Sequence, residues 1–328
     1  MSRYAAVHTM PEGPGDARPT ALQIIKDEGV QGKLQGQVIV ITGTSSGIGV
    51  ETVRALAETG ATLYLTARNL DKAKSALDGI FDPSRMVLFQ MDQESLSSVR
   101  ATAVAIMAKT SKIHALINNA GIMAIPDLRL TVDGHELQFG TNHLSHFLLF
   151  MLLKPGLLAG ASPALPSRVV NVSSSGHNLH GINEPDNYNF ERGDYDPNDA
   201  YGQSKTANIY MANEIERLYG VQHLHATSVH PGIVHTGLTR HMPPDAFKGM
   251  DHVWPLMKNA EQGAATTVWA AVGEVWAHKG GEYLVDCAVA QPCLSGEDKM
   301  ITPTYAAYAY DVEKAGRLWR DSLKLVGF

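Results

Sequence analysis

Val38-Ile-Val-Ile41 leads directly into Thr42-Gly-Thr-Ser-Ser-Gly-Ile-Gly49, and a helical pattern follows. An apolar run, a glycine-rich turn and a helix start, in that order, leave few folds open. Glycines at this spacing let the backbone turn sharply and approach a bound group closely. The helix N-terminus then presents unpaired N–H groups to an anion. The stretch reads as a strand, a tight turn and a helix that hold a dinucleotide pyrophosphate, with Gly43, Gly47 and Gly49 providing the room.

Apolar runs and helical patterns alternate down the rest of the chain. Residues 37–42 read as a strand and 47–59 as a helix; 61–67 with 70–77, and 86–91 with 94–109, repeat the pair. Residues 113–118 form the next strand, and 131–153 hold a long helix that Lys154-Pro155 is expected to end. Strand 168–172 with helix 201–219, strand 225–229 with helix 261–276, and a last strand 282–285 complete the series. The alternation predicts an α/β fold, a single Rossmann-type doubly wound parallel sheet with helices on both faces. The strands are nearly continuous apolar runs, as strands covered on both faces should be.

Bulk properties narrow the partners. The chain has 328 residues, 44% hydrophobic, with a formal charge of -6. No Lys/Arg-rich block is present, which argues against nucleic acid or an anionic membrane as a main partner. Cys287 and Cys293 read as reduced thiols, and the close histidine pairs lack the carboxylates or cysteines of a metal site, so no metal is expected. The N-terminus has no basic segment followed by an apolar one. Residues 1–18 are polar and Pro/Gly-rich and read as a flexible arm; 1–34 form the arm and 35–328 one catalytic domain. The apolar run Phe147-Leu-Leu-Phe-Met-Leu-Leu153 falls short of the about 20 residues that span a bilayer, so a cytoplasmic protein is expected.

Two segments break the rhythm. Residues 176–200 are rich in Asn, Asp, Gly and Pro and read as a polar surface excursion. Residues 237–258 mix turn formers with Met242, Phe247, Met250, Trp254 and Met257, which suits a lid over a hydrophobic substrate or a loop packed on the core or a partner.

Tyr201-Gly-Gln-Ser-Lys205 places a phenol and an ammonium four residues apart, on one helix face. A lysine there favours the phenolate and is expected to lower the Tyr201 pKa. At the end of the second strand stands Arg68, with no acid to bind ribose hydroxyls; NADP is therefore expected over NAD. Asp92 is available for the adenine amino group or for capping the next helix. Asn118-Asn-Ala-Gly121 ends the fourth strand at the carboxyl edge of the sheet, where such folds bind ligands.

Taken in order, Thr42 to Gly49, Asp92, Asn118-Asn-Ala-Gly121, Asn142, Ser174, Tyr201-x-x-x-Lys205 and Pro231-Gly232 resemble the short-chain dehydrogenase/reductase family over roughly residues 35–290. Thr141-Asn-His-Leu-Ser-His-Phe-Leu-Leu149, Val170-Asn-Val-Ser-Ser174 and His230-Pro-Gly232 look like the retinol-dehydrogenase-like and WW-domain-oxidoreductase-like branch. The opening Thr20-Ala-Leu-Gln-Ile-Ile-Lys-Asp27 also looks like fungal secondary-metabolite reductases. The resemblance implies Tyr201 as general acid/base and Lys205 as its partner and holder of the nicotinamide ribose. It implies Ser174 as donor to the substrate carbonyl and Asn142 as anchor of a water in a proton relay. Cofactor contacts are implied at Gly43, Ser45, Ser46, Gly47, Ile48 and Gly49, and at Arg68 and Asp92. Others are implied at Asn119, Ala120, Gly121, Tyr201, Lys205, Pro231, Gly232 and Val234, with Thr236 on the carboxamide.

By the same resemblance, the two long helices would offer a homodimer or homotetramer face, and their apolar stripes equally suit burial inside one subunit. The long gap from Ser174 to Tyr201 and the lack of an N-terminal anchor separate the chain from many retinol dehydrogenases and bear on its substrate. His177, His180 and His235 are placed where they could touch it. The expected activity is NADP(H)-dependent interconversion of a ketone or aldehyde and its alcohol on an apolar or aromatic molecule, such as a polyketide-type intermediate. Non-redox isomerisation or cyclisation and a turnover-free nucleotide sensor are the alternatives; net NADPH consumption separates them.

Overall fold

Val38–Thr42, all β-branched and all buried, form strand β1. The structure, a computed structural model, describes residues 2–185, 187–242, 248, 249, 251–294, 298 and 301–328. Helix α1 (Ala21–Asp27) precedes β1. The chain then runs through α2 (Ile48–Ala57), β2 (Thr62–Ala67), α3 (Leu70–Ala76), β3 (Met86–Gln90), α4 (Leu96–Met107) and β4 (Ala115–Asn118). Next come α5 (Leu137–Phe139), a π-helical stretch (Gly140–Leu144), α6 (Ser145–Gly160), β5 (Ser167–Val172), α7 (Pro197–Tyr219) and β6 (Leu224–His230). Then follow α8 (Ala260–Gly263), α9 (Ala265–Val272), β7 (Tyr283–Val285), β8 (Ala288–Val289), β9 (Gln291–Pro292), β10 (Thr304–Tyr305) and α10 (Val312–Leu325).

Eight strands form one sheet in the order β3-β2-β1-β4-β5-β6-β7-β8, parallel except for β8. The chain winds outward from β1 toward β3, then crosses to β4 and winds the other way. The carboxyl ends of β1 and β4 therefore flank a crevice at the switch point. Alternate residues of β1 enter opposite cores. Val38 and Val40 pack with α4, α6, α7 and α10, whereas Ile39 and Ile41 pack with α1, α2 and α9. Both faces are covered, which is why the strands read as unbroken apolar runs.

The structure corrects several sequence-based expectations. Helix α6 does not stop at Pro155 but continues to Gly160. Leu157 and Gly160 are buried, and a Cβ at Gly160 would stand 2.2 Å from the Ile113 carbonyl oxygen. This close packing on the approach to β4 outweighs the local cost of proline. The combined helix, Leu137–Gly160, is long and apolar enough to cross a bilayer, but 67% of its apolar window is buried in the fold. Residues 261–276, expected as one helix, form α8, α9 and a short 3-10 turn.

The N-terminal arm is packed rather than flexible. Tyr4 is buried and donates to Asp27 at 2.8 Å. The Arg18 guanidinium, also buried, donates to Asp16 (2.8 Å) and to the carbonyls of Gly13 (3.0 Å), Leu256 (2.9 Å) and Met257 (2.5 Å). A segment without a core of its own is thus ordered by the body it lies on. Arg18 also ties the arm to the far end of segment 237–258. Of that segment's large apolar groups, Trp254 is exposed, and Phe247 and Met250 lie outside the described residues. The 176–200 excursion is likewise anchored: Tyr188 and Phe190 are buried, and Tyr188 donates to Asp321 of α10 at 2.9 Å.

The face of α6 and α7 that was expected to meet a second subunit is covered by α10 of the same chain. Trp319 lies edge-on to Phe147, with ring centroids 4.9 Å apart, and also contacts Phe150 and Tyr219. Ser322 bonds the buried His143 at 2.9 Å. Trp319→Ala is expected to cost about 3–5 kcal/mol of stability, read from the urea midpoint. Light scattering should find the wild-type chain without an α6–α7 dimer; a dimer that dissociates on changing α6 and α7 residues but tolerates changes on the exposed side of α10 would contradict this packing.

Candidate active site

The glycine turn after β1 is shaped as a cradle. Gly43 and Gly47 have positive φ values of 72° and 61°. A Cβ at Gly43 would stand 2.7 Å from Ala120 Cα, and one at Gly49 would stand 2.2 Å from the Gly43 carbonyl oxygen. Neither position accepts a side chain. Gly47 begins α2, Ser46 is exposed and Ser45 half-exposed, so the helix N-terminus opens onto the crevice. A Cβ at Gly47 would also approach Thr236 at 3.3 Å. The segment after β6 thereby closes over the turn, and a Cβ at Gly263 would touch both Ile48 and Val234. Gly232 takes φ 96°, following Pro231, with Lys258 close against it. These groups fit a dinucleotide: a backbone cradle at a helix start, with the buried Asn119 Oδ1 left without a partner beside it.

The floor is set by Thr42. Its hydroxyl oxygen accepts the N–H groups of Asn119 and Ala120, each at 3.0 Å. The Asn119 amide donates back to the Thr42 carbonyl at 2.8 Å. With its acceptor sites engaged, the Thr42 hydroxyl donates to His146 Nε2 at 2.8 Å. His146 Nδ1 lies 2.9 Å from the Asn142 carbonyl, which can only accept, so Nδ1 carries the proton. Asn142 sits in the π-helical stretch, a geometry common at functional sites. Its side chain grips the 121–122 loop by accepting from Ile122 N–H and donating to the Ile122 carbonyl, both at 2.9 Å, and also donates to Ser204. Asn142 is thus a structural hub, and its backbone carbonyl is engaged by His146.

Of the three serines after β5, Ser173 is buried and donates to the Lys205 carbonyl, and Ser175 is buried. Ser174 alone is half-exposed. Its hydroxyl accepts from Gly176 N–H at 3.0 Å and lies near enough to Tyr201 to favour the phenolate. Tyr201 and Lys205 share one face of α7, with the ammonium 5.4 Å from the ring centroid. Lys205 donates to the Val172 carbonyl at 3.0 Å. A Cβ at Gly121 would meet both Asn142 Oδ1 (3.2 Å) and Lys205 Nζ (3.5 Å). The structure therefore brings Asn142, Ser174, Tyr201, Lys205 and Gly121 to one place.

Tyr201 departs from expectation. Burial pushes its pKa up to about 12, with the nearby Ser174 hydroxyl acting the other way. Burial also pushes Lys205 down to about 8. Desolvation outweighs the charge–phenol attraction that the four-residue spacing suggested. Other predicted groups have second uses. Asp92 Oδ1 accepts from Glu94 N–H at 3.0 Å in a local turn, and Ser95, not Asp92, caps α4. Arg68 donates to Glu94 at 2.7 Å but keeps 65% of its side chain exposed. His177 is fully buried, His180 bonds Asn183, and His235 is exposed. Sequence reasoning missed His146, whose position one turn after Asn142 is its only local signal. It also missed Gly176, where a Cβ would stand 2.9 Å from the Tyr201 ring.

A family model described as short chain dehydrogenase matches residues 37–188. The short-chain dehydrogenase/reductase prx1 of Penicillium roqueforti is 45% identical over 327 residues, covering 99% of this chain and 95% of that protein. Retinol dehydrogenase 11 of Mus musculus is 34% identical, covering 90% of this chain and 88% of its own. Among solved structures, an uncharacterized protein from Mycobacterium paratuberculosis is similar with TM-score 0.70 and 32% identity, covering 94% of this chain and 98% of that one.

Four buried histidines make the fold acid-sensitive. Burial lowers His143 and His230 to about 3 and His146 and His177 to about 4. Histidines depressed in the folded state contribute stability that is fully present above about 6.5 and lost as pH falls toward the folded values. Glu136, pushed up to about 7 by burial, has the opposite sign but is a single group. Urea unfolding should show stability at pH 5 below that at pH 7 by at least about 2 kcal/mol. A flat profile would contradict neutral burial of these rings.

Proposed function

The chain belongs to the short-chain dehydrogenase/reductase family, and we propose that it interconverts a ketone or aldehyde and its alcohol on an apolar or aromatic small molecule, with NADP(H). It is an oxidoreductase of the CH–OH/C=O type by family, and a nicotinamide cofactor is typical of that family. The observation that carries the finer reading is the joint placement of Ser174, Tyr201 and Lys205 beside the glycine cradle.

Gly43, Ser45, Ser46, Gly47, Ile48 and Gly49 would hold the pyrophosphate side of the cofactor. Asp92, Asn119, Ala120 and Gly121 would line its path. Pro231, Gly232, Val234 and Thr236 would flank the nicotinamide, whose ribose Lys205 would hold. When bound, the nicotinamide supplies or accepts the hydride. The protein's own work concerns the oxygen. Charge that develops there needs donors and then a proton. Ser174 Oγ and Tyr201 Oη donate to that oxygen, and Tyr201 gives up its proton. A phenol held near 12 stands protonated at neutral pH, the form that can donate to the substrate oxygen. Lys205, near 8, can gain and lose a proton close to neutral pH and so can restore the Tyr201 proton. Asn142 fixes the 121–122 loop beside that ammonium.

Arg68 supports NADP over NAD. Its bridge to Glu94 is exposed, and such bridges are worth about 0–1 kcal/mol, so a 2'-phosphate can displace it. Similarity to a Penicillium protein supports a fungal secondary-metabolite reductase, with a polyketide-type intermediate as a narrower substrate class. A cytoplasmic location fits the same reading.

Tyr201→Phe should lower kcat for NADPH-dependent carbonyl reduction by about 100-fold or more, with NADPH affinity by fluorescence nearly unchanged. Full turnover in that variant would remove Tyr201 as the acid. Arg68→Ala should weaken NADPH by about 10-fold and leave NADH unaffected; equal wild-type affinity for the two cofactors would refute the preference.

A further inference from the structure

We propose that residues 304–310 are a positioning element for Ser174, acting through His177 to hold the Ser174 turn against Tyr201. This rests on the reading of Ser174 as donor to the substrate oxygen. The segment lies outside residues 37–188, which the family model matches.

His177 follows Ser174 by three residues, in the 3-10 turn Ser175–Asn178, and its side chain is fully buried. Both ring nitrogens are committed. Nδ1 lies 2.7 Å from the Ser174 carbonyl, which can only accept, so Nδ1 bears hydrogen. Nε2 accepts the Ala306 N–H at 3.2 Å, so Nε2 is bare. The ring is a neutral bridge from the 304–310 segment to the backbone of Ser174. Two further bonds run in parallel. Tyr308 donates its hydroxyl to the His177 carbonyl at 2.5 Å, and Asn178 donates its amide to the Thr304 carbonyl at 3.1 Å.

The same segment is fixed from behind. Tyr210 and Asn213 of α7 donate to the carbonyls of Tyr308 (2.8 Å) and Ala309 (2.9 Å), and Tyr310 accepts from Tyr283 N–H of β7 at 3.0 Å. Tyr283 stacks edge-on against His177, with centroids 4.8 Å apart. Residues 304–310 therefore span from the helix that carries Tyr201 and Lys205 to the turn that carries Ser174. That turn has little play. Ser174 Oγ is held by Gly176 N–H, and the Gly176 backbone lies so close to the Tyr201 ring that a Cβ would clash. A shift of a few tenths of an ångström in the turn would alter the Ser174–Tyr201 pair directly, and small misplacements are costly to rate.

The test uses the full-length protein and Tyr308→Phe, which deletes one hydroxyl, alone and in a Ser174→Ala background. His177→Gln, which keeps one donor and one acceptor, and His177→Leu, which keeps neither, form the second series. Tyr308→Phe should lower kcat for carbonyl reduction by about 5-fold, leave the NADPH dissociation constant within about 2-fold, and speed amide exchange of residues 175–179 in the free protein by about 5-fold. In the Ser174→Ala background it should cost no further turnover. His177→Gln should retain more activity than His177→Leu at matched thermal stability.

Undiminished kcat in Tyr308→Phe, or an equal loss with and without Ser174, would overturn the inference while leaving the proposed function intact. Full activity in Ser174→Ala would instead defeat the reading of Ser174, and this inference with it. Unchanged exchange at 175–179 in Tyr308→Phe would overturn the mechanical link without reference to turnover.

Discussion

One hydroxyl, Thr42 Oγ1, carries the geometry of the cleft. It ends β1, pairs two backbone N–H groups beyond β4 and donates to His146. Removing it would leave Ala120 N–H without its acceptor, at a cost of about 1–3 kcal/mol, and would leave Asn119 N–H only the Ile117 carbonyl and His146 Nε2 only the Gln93 amide. Both sides of the crevice depend on it. On one side, Gly43 must lack a side chain because Thr42 draws Ala120 so near. On the other, His146 transmits the position of Thr42 to the Asn142 carbonyl and the π-helical stretch. The pyrophosphate cradle and the hub beneath Lys205 are therefore one connected structure.

The parallel sheet was legible from the sequence, because a strand covered on both faces must be apolar throughout. Thr42 to Gly49 was legible because only glycine tolerates the positive φ of Gly43 and Gly47 and the close approaches at Gly43 and Gly49. Tyr201 and Lys205 were legible because helical spacing alone aligns them. What sequence concealed depends on distance along the chain. His177 meets Ala306, and His143 meets Ser322, across more than a hundred residues. No local pattern marks those partners.

Composition misled where tertiary contact decided the outcome. The arm looked disordered by its Pro/Gly content, yet one buried guanidinium and its carbonyl acceptors order it. Pro155 looked like a stop, yet packing on Ile113 extends the helix past it. The Tyr201 pKa was misjudged for a related reason. A charge neighbour is visible in sequence, but the extent of burial is not, and here burial is the larger effect.

The placement of α10 has a consequence for synthesis. Helix α7 ends at Tyr219 and α10 begins at Val312, so on the order of 90 residues are made between them. At roughly 5–20 residues per second, the ribosome takes on the order of 5–20 s over that interval. Throughout it, Phe147, Phe150 and Tyr219 lack the indole that later covers them. Folding of the nascent chain is thus completed from its far end. During those seconds the uncovered helical face is the surface that a chaperone, or another nascent chain, would meet first.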